Sequence, residues 1–478
     1  MKLSSLLATV IALASTLTAC DKGPLLSDRI ATIEKNISPL LIVRGENLPA
    51  VSIEERMRQL NVPGVSVAVI NDGKLEWAKA YGFADKEDNV LATAETLFQA
   101  ASVSKPVAAM AALKLVQDGR LGLDQNINDV LTSWKIPDNE FTTTHKVTLR
   151  GLLNHSAGTT VWGFPGYENG TRIPSTVEVL EGAGNTEAIR VWKEPGESWR
   201  YSGGGYTALE LLMSDVIGQP FSQLMRDVVL EPLGMSNSTY EQPLPTVLHT
   251  RAASAYDRNG NKINGKWHIY PEMAAAGLWT TPSDLSRYII EVQQAYAGSG
   301  RILSESIAHM MLEAGMNDHG LGPIIEGAGS RFGHTGGNAG FRSHFTAFIE
   351  QGAGVIVMTN SDNGSRLAQE LILTIGREYG WQGLMPTERT VVTLDAAAYE
   401  SLVGHYEVHE SPVVIEVTYE YGQLFARATG GERFELLPEG GLMFFSRLGT
   451  PIEFVRVDDT VAEMNVGGAT RAVRINSQ

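Results

Sequence analysis

The turn pattern in the last ninety residues constrains the fold of this chain more than any other feature. From about Ala398 onward, short alternating runs are separated by Gly422-Gln423, Gly430-Gly431, Glu439-Gly440-Gly441, Asp458-Asp459 and Gly467-Gly468, with almost no helical period. Period-two alternation between closely spaced turns predicts short antiparallel strands, so residues 393–478 are expected to form a small C-terminal β-sandwich or β-barrel. The pattern ahead of Gly383–Arg389 is different. Val65–Ile70 and Leu75–Tyr81 are strand-like runs joined by the hairpin turn Asn71-Asp72-Gly73-Lys74. Helical periods follow at about 102–117, 206–217 and 282–295, with a loop-rich stretch over 142–201. Strand-like runs return at 341–349 and 354–359, and a helix is expected over 366–379. Strands, then helices, then strands predict an α+β domain over 51–385, with an antiparallel sheet flanked by helices. A chain of 478 residues has room for one large domain and one small one.

The first twenty residues are set apart from the fold. Met1-Lys2 is a short positive start, Leu6–Leu17 is an apolar run of signal-peptide length, and Leu17-Thr18-Ala19-Cys20 resembles the lipobox of bacterial lipoproteins. That resemblance implies cleavage before Cys20 and lipidation of its thiol, which is the only thiol in the chain. Residues 21–50 mix Pro, Gly, Asn and charge and read as a tether. The expected location is therefore outside the cytoplasm, lipid-anchored to a bacterial membrane and facing the periplasm. Asp21 is a weak pointer to the inner membrane. A formal net charge of -16 makes a poor surface for polyanions, so no nucleic-acid partner is expected.

Three short segments can carry chemistry. Ala101-Ser102-Val103-Ser104-Lys105-Pro106 contains an S-x-x-K pattern. Proline is tolerated only in the first turn, so the helix starts close to Ser102, and Lys105 three residues on shares its face. Tyr201-Ser202-Gly203 is followed by two more glycines, a tight backbone that can aim a tyrosine into a cleft. Gly333-His334-Thr335-Gly336-Gly337-Asn338 suits a strand that must approach a ligand closely, with His334 able to donate a hydrogen bond or carry charge near neutral pH.

In this order and spacing the three segments resemble the penicillin-binding and class C β-lactamase-like serine hydrolases. Leu149–Gly158, Glu194-Pro195-Gly196, Pro232–Met235 and Ala275–Leu285 strengthen the resemblance, which covers roughly residues 50–385. The C-terminal module resembles the lipocalin-like domain often appended to such enzymes. The resemblance implies an all-helical subdomain beside the sheet. It also implies Ser102 as acylated nucleophile, Lys105 as its base, and Tyr201 as proton carrier for the leaving group and the deacylating water. Backbone N–H groups of Ser102 and Gly337 would form the oxyanion hole, and Thr335 and Gly336 would shape the strand edge. Two departures bear on substrate. Gly203 stands where many relatives carry an amide-contacting asparagine, and His334 stands where β-lactamases carry lysine. The implied substrates are small esters or peptides and amides containing D-residues, with no cofactor.

Other chemistries find less support. No G-x-S-x-G elbow, H-E-x-x-H or C-x-x-C occurs, and no metal site is expected. His405 and His409 are read as strand residues of the barrel, not ligands. The rival to an enzyme is a membrane-tethered, non-catalytic binding or scaffolding lipoprotein on the same fold. The barrel offers a surface for oligomerisation.

Overall fold

The computed structural model describes residues 25–457, 460–468 and 470–475. Cys20 and the expected signal segment lie outside the described residues. The part of the expected tether that is described is ordered structure. Leu26–Lys35 is a helix (α1), Leu41–Val43 a strand (β1), and Ile53–Leu60 a second helix (α2). This segment is not a tether: Ile30, Ile33 and Ile37 are spaced three and four apart. Ile33 and Ile37 are buried and Ile30 packs beside them in a core shared with the last helix of the large domain.

Strands β2 (Gly64–Asn71), β3 (Lys74–Asp85) and β4 (Val90–Leu91) begin the main sheet. β5 (Ile324–Glu326), β6 (Arg331–Asn338), β7 (Phe341–Phe348) and β8 (Gly354–Thr359) complete it, in the order β4-β3-β2-β8-β7-β6-β5. The β2–β3 turn has Asp72 and Gly73 both at positive φ, 50° and 69°, the conformation that a two-residue hairpin needs. β2 is apolar almost throughout because both faces are covered. Val65, Val67 and Val69 enter the core of α1 and α2, whereas Ala68 and Ile70 enter the larger core on the opposite face.

That larger core surrounds helix α3 (Ser104–Gln117), which has eleven buried residues and is apolar nearly all round. The helix starts two residues later than expected: Ala101–Val103, including Ser102, form a 3-10 turn that leads into it. Around it stand α4 (Leu149–Leu153), α5 (Gly203–Ile217), α6 (Met273–Ala276) and α7 (Pro282–Tyr296), and α8 (Gly364–Tyr379) covers the other sheet face. Ser202 caps α5 by accepting from the Gly205 N–H at 2.9 Å, and Gly218 at φ 75° ends it.

After β9 (Thr387–Arg389), eight antiparallel strands over Gly404–Ile475 close into a barrel. Tyr406, Val417, Leu424, Leu436, Phe444, Ile452, Phe454 and Met464 fill its core, joined by Tyr399 and Leu402 of the short helix before it. His405 lies on the first barrel strand, and His409 falls in the turn after it. β1 pairs in parallel with β9, and its Leu41 and Val43 bury against Leu437 and Phe445 of the barrel. Each such side chain is worth about 1.5–3 kcal/mol when buried. The half-exposed Arg447–Glu46 pair nearby is worth at most about 1 kcal/mol. The apolar contact therefore dominates this junction.

Candidate active site

The Ser102 turn and the first turn of α3 bring two side chains together. Lys105 Nζ donates to Ser102 Oγ at 3.1 Å and to the Ala275 carbonyl of α6 at 2.8 Å. Lys105 is buried, Ser102 only partly so. Its neighbours are the rings of Tyr201 and Tyr206, with centroids 4.9 and 5.6 Å from Nζ, and no carboxylate pairs with it among the described residues. Burial without a counter-ion disfavours the ammonium and pulls the Lys105 pKa down to about 7.

The supports of this pair are equally specific. Ser104 Oγ donates to the Ala101 carbonyl at 2.6 Å, which holds the turn. Buried Glu210 of α5 accepts from the Ala274 N–H at 2.9 Å and from Thr176 Oγ at 3.1 Å, fixing α6 and with it the Ala275 carbonyl. Strand β6 lies directly against Ser102. A Cβ on Gly336 would sit 2.2 Å from the Ala100 carbonyl oxygen and 3.1 Å from the Ser102 nitrogen, so only glycine permits the approach. β5 pairs with β6 only over Arg331–Gly333, and among the described residues no strand pairs with this edge of β6 from His334 onward. Thr335 and Gly337 are exposed there, alternating with buried His334 and Gly336.

Tyr201 arrives from the loop before α5. Its hydroxyl is buried and makes no hydrogen bond among the described residues. Burial pushes its pKa well up, opposed only by the nearby Ser102 hydroxyl, so at neutral pH it is a phenol and a proton donor. His334 differs from the expectation that it can carry charge near neutrality. It is buried, its Nδ1 faces the Thr335 carbonyl at 2.6 Å, and burial together with the Lys105 charge pulls its pKa down to about 3. It is a neutral imidazole.

His155 lies outside the three motif segments, yet it clamps Tyr201. The Arg200 N–H donates to the His155 carbonyl at 2.9 Å, and the Ser202 N–H donates to His155 Nδ1 at 3.1 Å. Both neighbours of Tyr201 are thus tied to one residue, whose ring lies 4.3 Å from the Tyr201 ring, centroid to centroid. His155 adopts φ 63°, an uncommon left-handed conformation for a histidine, and burial holds it neutral. The available sequence signal was its place in Asn154-His155-Ser156-Ala157-Gly158, but its contacts are tertiary. His155→Ala is expected to cut turnover about 10–100-fold by letting the Tyr201 hydroxyl shift, since a misplacement of about 1 Å can cost that much. His155→Asn keeps an acceptor for the Ser202 N–H and tolerates positive φ, so it should recover most of the loss. Equal kcat in the two variants would show that the ring matters only as packing.

Among the described residues no three His, Cys, Asp or Glu side chains are placed to hold a metal ion. The structure gathers Ser102, Lys105, Tyr201, His334 and Gly336 close together. Hydroxyl, buried amine and phenol suffice chemically for acyl transfer: a nucleophile, a base poised near neutrality, and a proton donor.

A family model described as Beta-lactamase matches residues 52–376. Penicillin-binding protein 4* of Bacillus subtilis is 22% identical over 424 residues, 82% of this chain and 90% of that protein. Protein flp of Staphylococcus aureus is 26% identical over 332 residues, 64% of this chain, and the match spans 61% of its own length. Among solved structures, an octameric penicillin-binding protein homologue from Pyrococcus abyssi superposes with TM-score 0.62 at 22% identity, covering 88% of this chain and 98% of that one. The D-amino acid amidase of Ochrobactrum anthropi SV3, complexed with L-phenylalanine amide, gives 0.58 at 22% identity, covering 74% and 99%. These superpositions speak to the fold.

Proposed function

The chain belongs to the beta-lactamase family, and from that membership we infer that it is a serine hydrolase working through an acyl-enzyme on Ser102, with small esters or D-residue peptides and amides as substrates. The observation that carries the reading is the buried Lys105, hydrogen-bonded to Ser102 and with its pKa drawn to about 7. A scaffold has no use for a buried amine without a counter-ion; a general base does. Ser102 Oγ attacks the substrate carbonyl carbon as its proton passes to Lys105 Nζ. The oxyanion is met by the backbone N–H groups of Ser102 and Gly337. Collapse breaks the bond to the leaving group, which takes a proton through the Tyr201 hydroxyl, and Lys105 returns its proton to Tyr201. Water repeats the sequence on the acyl-enzyme and restores Ser102.

The site's walls bear on substrate. Neutral His334 supplies no fixed cation, and Gly203 no side-chain amide, so substrates that depend on a carboxylate anchor, β-lactams among them, are turned over poorly. Wild type is expected to hydrolyse a chromogenic short-chain ester, and Ser102→Ala to lose this activity entirely. Labelling by a fluorescent penicillin without ester turnover would move the reading to the peptidase branch. Absence of both responses would support the scaffold.

Membrane attachment belongs to the same proposal and rests on Leu17–Cys20 and the single cysteine. No helix among the described residues is long and apolar enough to cross a membrane. Intact mass of the detergent-extracted protein should show a chain starting at a lipid-modified Cys20; an unmodified thiol there would end this part of the proposal.

A further inference from the structure

The loop beside Tyr201 presents an aromatic face that the acyl-transfer chemistry does not use. Trp162 is 68% exposed, yet its ring lies 5.5 Å from that of Tyr201. The ring is not on a loose loop. The Gly203 N–H donates to the Trp162 carbonyl and the Gly204 N–H to the Val161 carbonyl, both at 3.0 Å. Ser202 Oγ adds a bond to the Thr160 carbonyl at 2.8 Å. Val161 itself sits at φ 62°, an outlier for a β-branched residue, and this is the turn that sends Trp162 outward. Strain of this kind persists only where the surroundings over-determine it, as the three hydrogen bonds to the start of α5 do here.

The same loop crowds Gly203. A Cβ there would lie 3.0 Å from a ring carbon of Phe164 and 3.2 Å from the Trp162 carbonyl oxygen, so a side chain at 203 would press against the Phe164 ring. The wall next to the catalytic tyrosine is thus apolar and aromatic. A leaving group must reach the buried Tyr201 hydroxyl, which leaves the exposed flank toward Trp162 to the acyl part of the substrate. We propose that Trp162, backed by Phe164, is the acyl-group subsite, and that it selects substrates with an aryl or comparably flat apolar group on the scissile carbonyl. The proposal rests on the serine-hydrolase reading and narrows its substrate class.

The test uses the full chain and a fluorescent fluorophosphonate that labels a reactive serine. Benzylboronic and propylboronic acid, which form reversible adducts with a serine hydroxyl, compete with the label. In wild type benzylboronic acid should protect at the lower concentration. Trp162→Ala should raise that concentration about tenfold, the scale of a lost aromatic contact, and move propylboronic acid by less than about twofold. Trp162→Phe keeps a ring and should fall close to wild type. Equal shifts for both acids, or no shift for either, would overturn the subsite while labelling of Ser102 left the hydrolase reading standing. Failure of the wild type to label at Ser102 would remove both.

Discussion

Lys105→Ala is expected to slow acylation of Ser102 by about 10²–10⁴-fold, the usual worth of a positioned base in a unit that works together. The effect should exceed that of any other single change outside Ser102. Lys105 has no substitute: Tyr201, the next nearest group able to take a proton, is held as a phenol by burial. Lys105→Arg should fail as badly, because a guanidinium stays protonated and cannot accept the serine proton. The pH dependence follows from the same shift. Only the neutral amine is a base, and burial lowers its pKa to about 7, so acylation should rise with pH through about 7 and level off above it. In Lys105→Ala that rise should vanish. A rise unchanged in the variant would assign it to another group. Both His155 and His334 are drawn below their ordinary values and are already neutral in that range.

Tyr201→Phe is expected to cut turnover by about 10²–10³-fold while leaving Ser102 open to a slow label. The hydroxyl is buried and its one polar neighbour is the Ser102 hydroxyl, so the ring packing survives its removal and the fold should hold. What disappears is the proton delivered to the leaving group and taken from water. If the second role is the larger, acyl-enzyme should accumulate and be visible by intact mass. Near-wild-type turnover in a folded Tyr201→Phe would refute the assignment of this residue, whatever Ser102 does.

Local rules made much of the site readable. Pro106 placed the helix start to within two residues, and Lys105 one turn from Ser102. Asp72-Gly73 gave a hairpin through their positive φ, and the glycines around His334 foretold a strand in close approach. The limits came where partners are distant in sequence. The strand Leu41–Val43 is too short to show an alternation, and it pairs with Thr387–Arg389 at the far end of the large domain. The neutrality of His334 depends on burial that no local pattern reports, and the clamp by His155 depends on contacts with Arg200 and Ser202. Gly203 could be seen as a missing asparagine, but the Phe164 ring that crowds this position comes from a loop some forty residues earlier.

Intact-mass spectrometry of the protein quenched within seconds of mixing with a slow ester substrate tests the central claim most directly. The account predicts an adduct of one acyl group, mapped by proteolysis to the peptide containing Ser102, absent in Ser102→Ala and slow to form in Lys105→Ala. An adduct on any other residue, or ester turnover that survives Ser102→Ala, would contradict it.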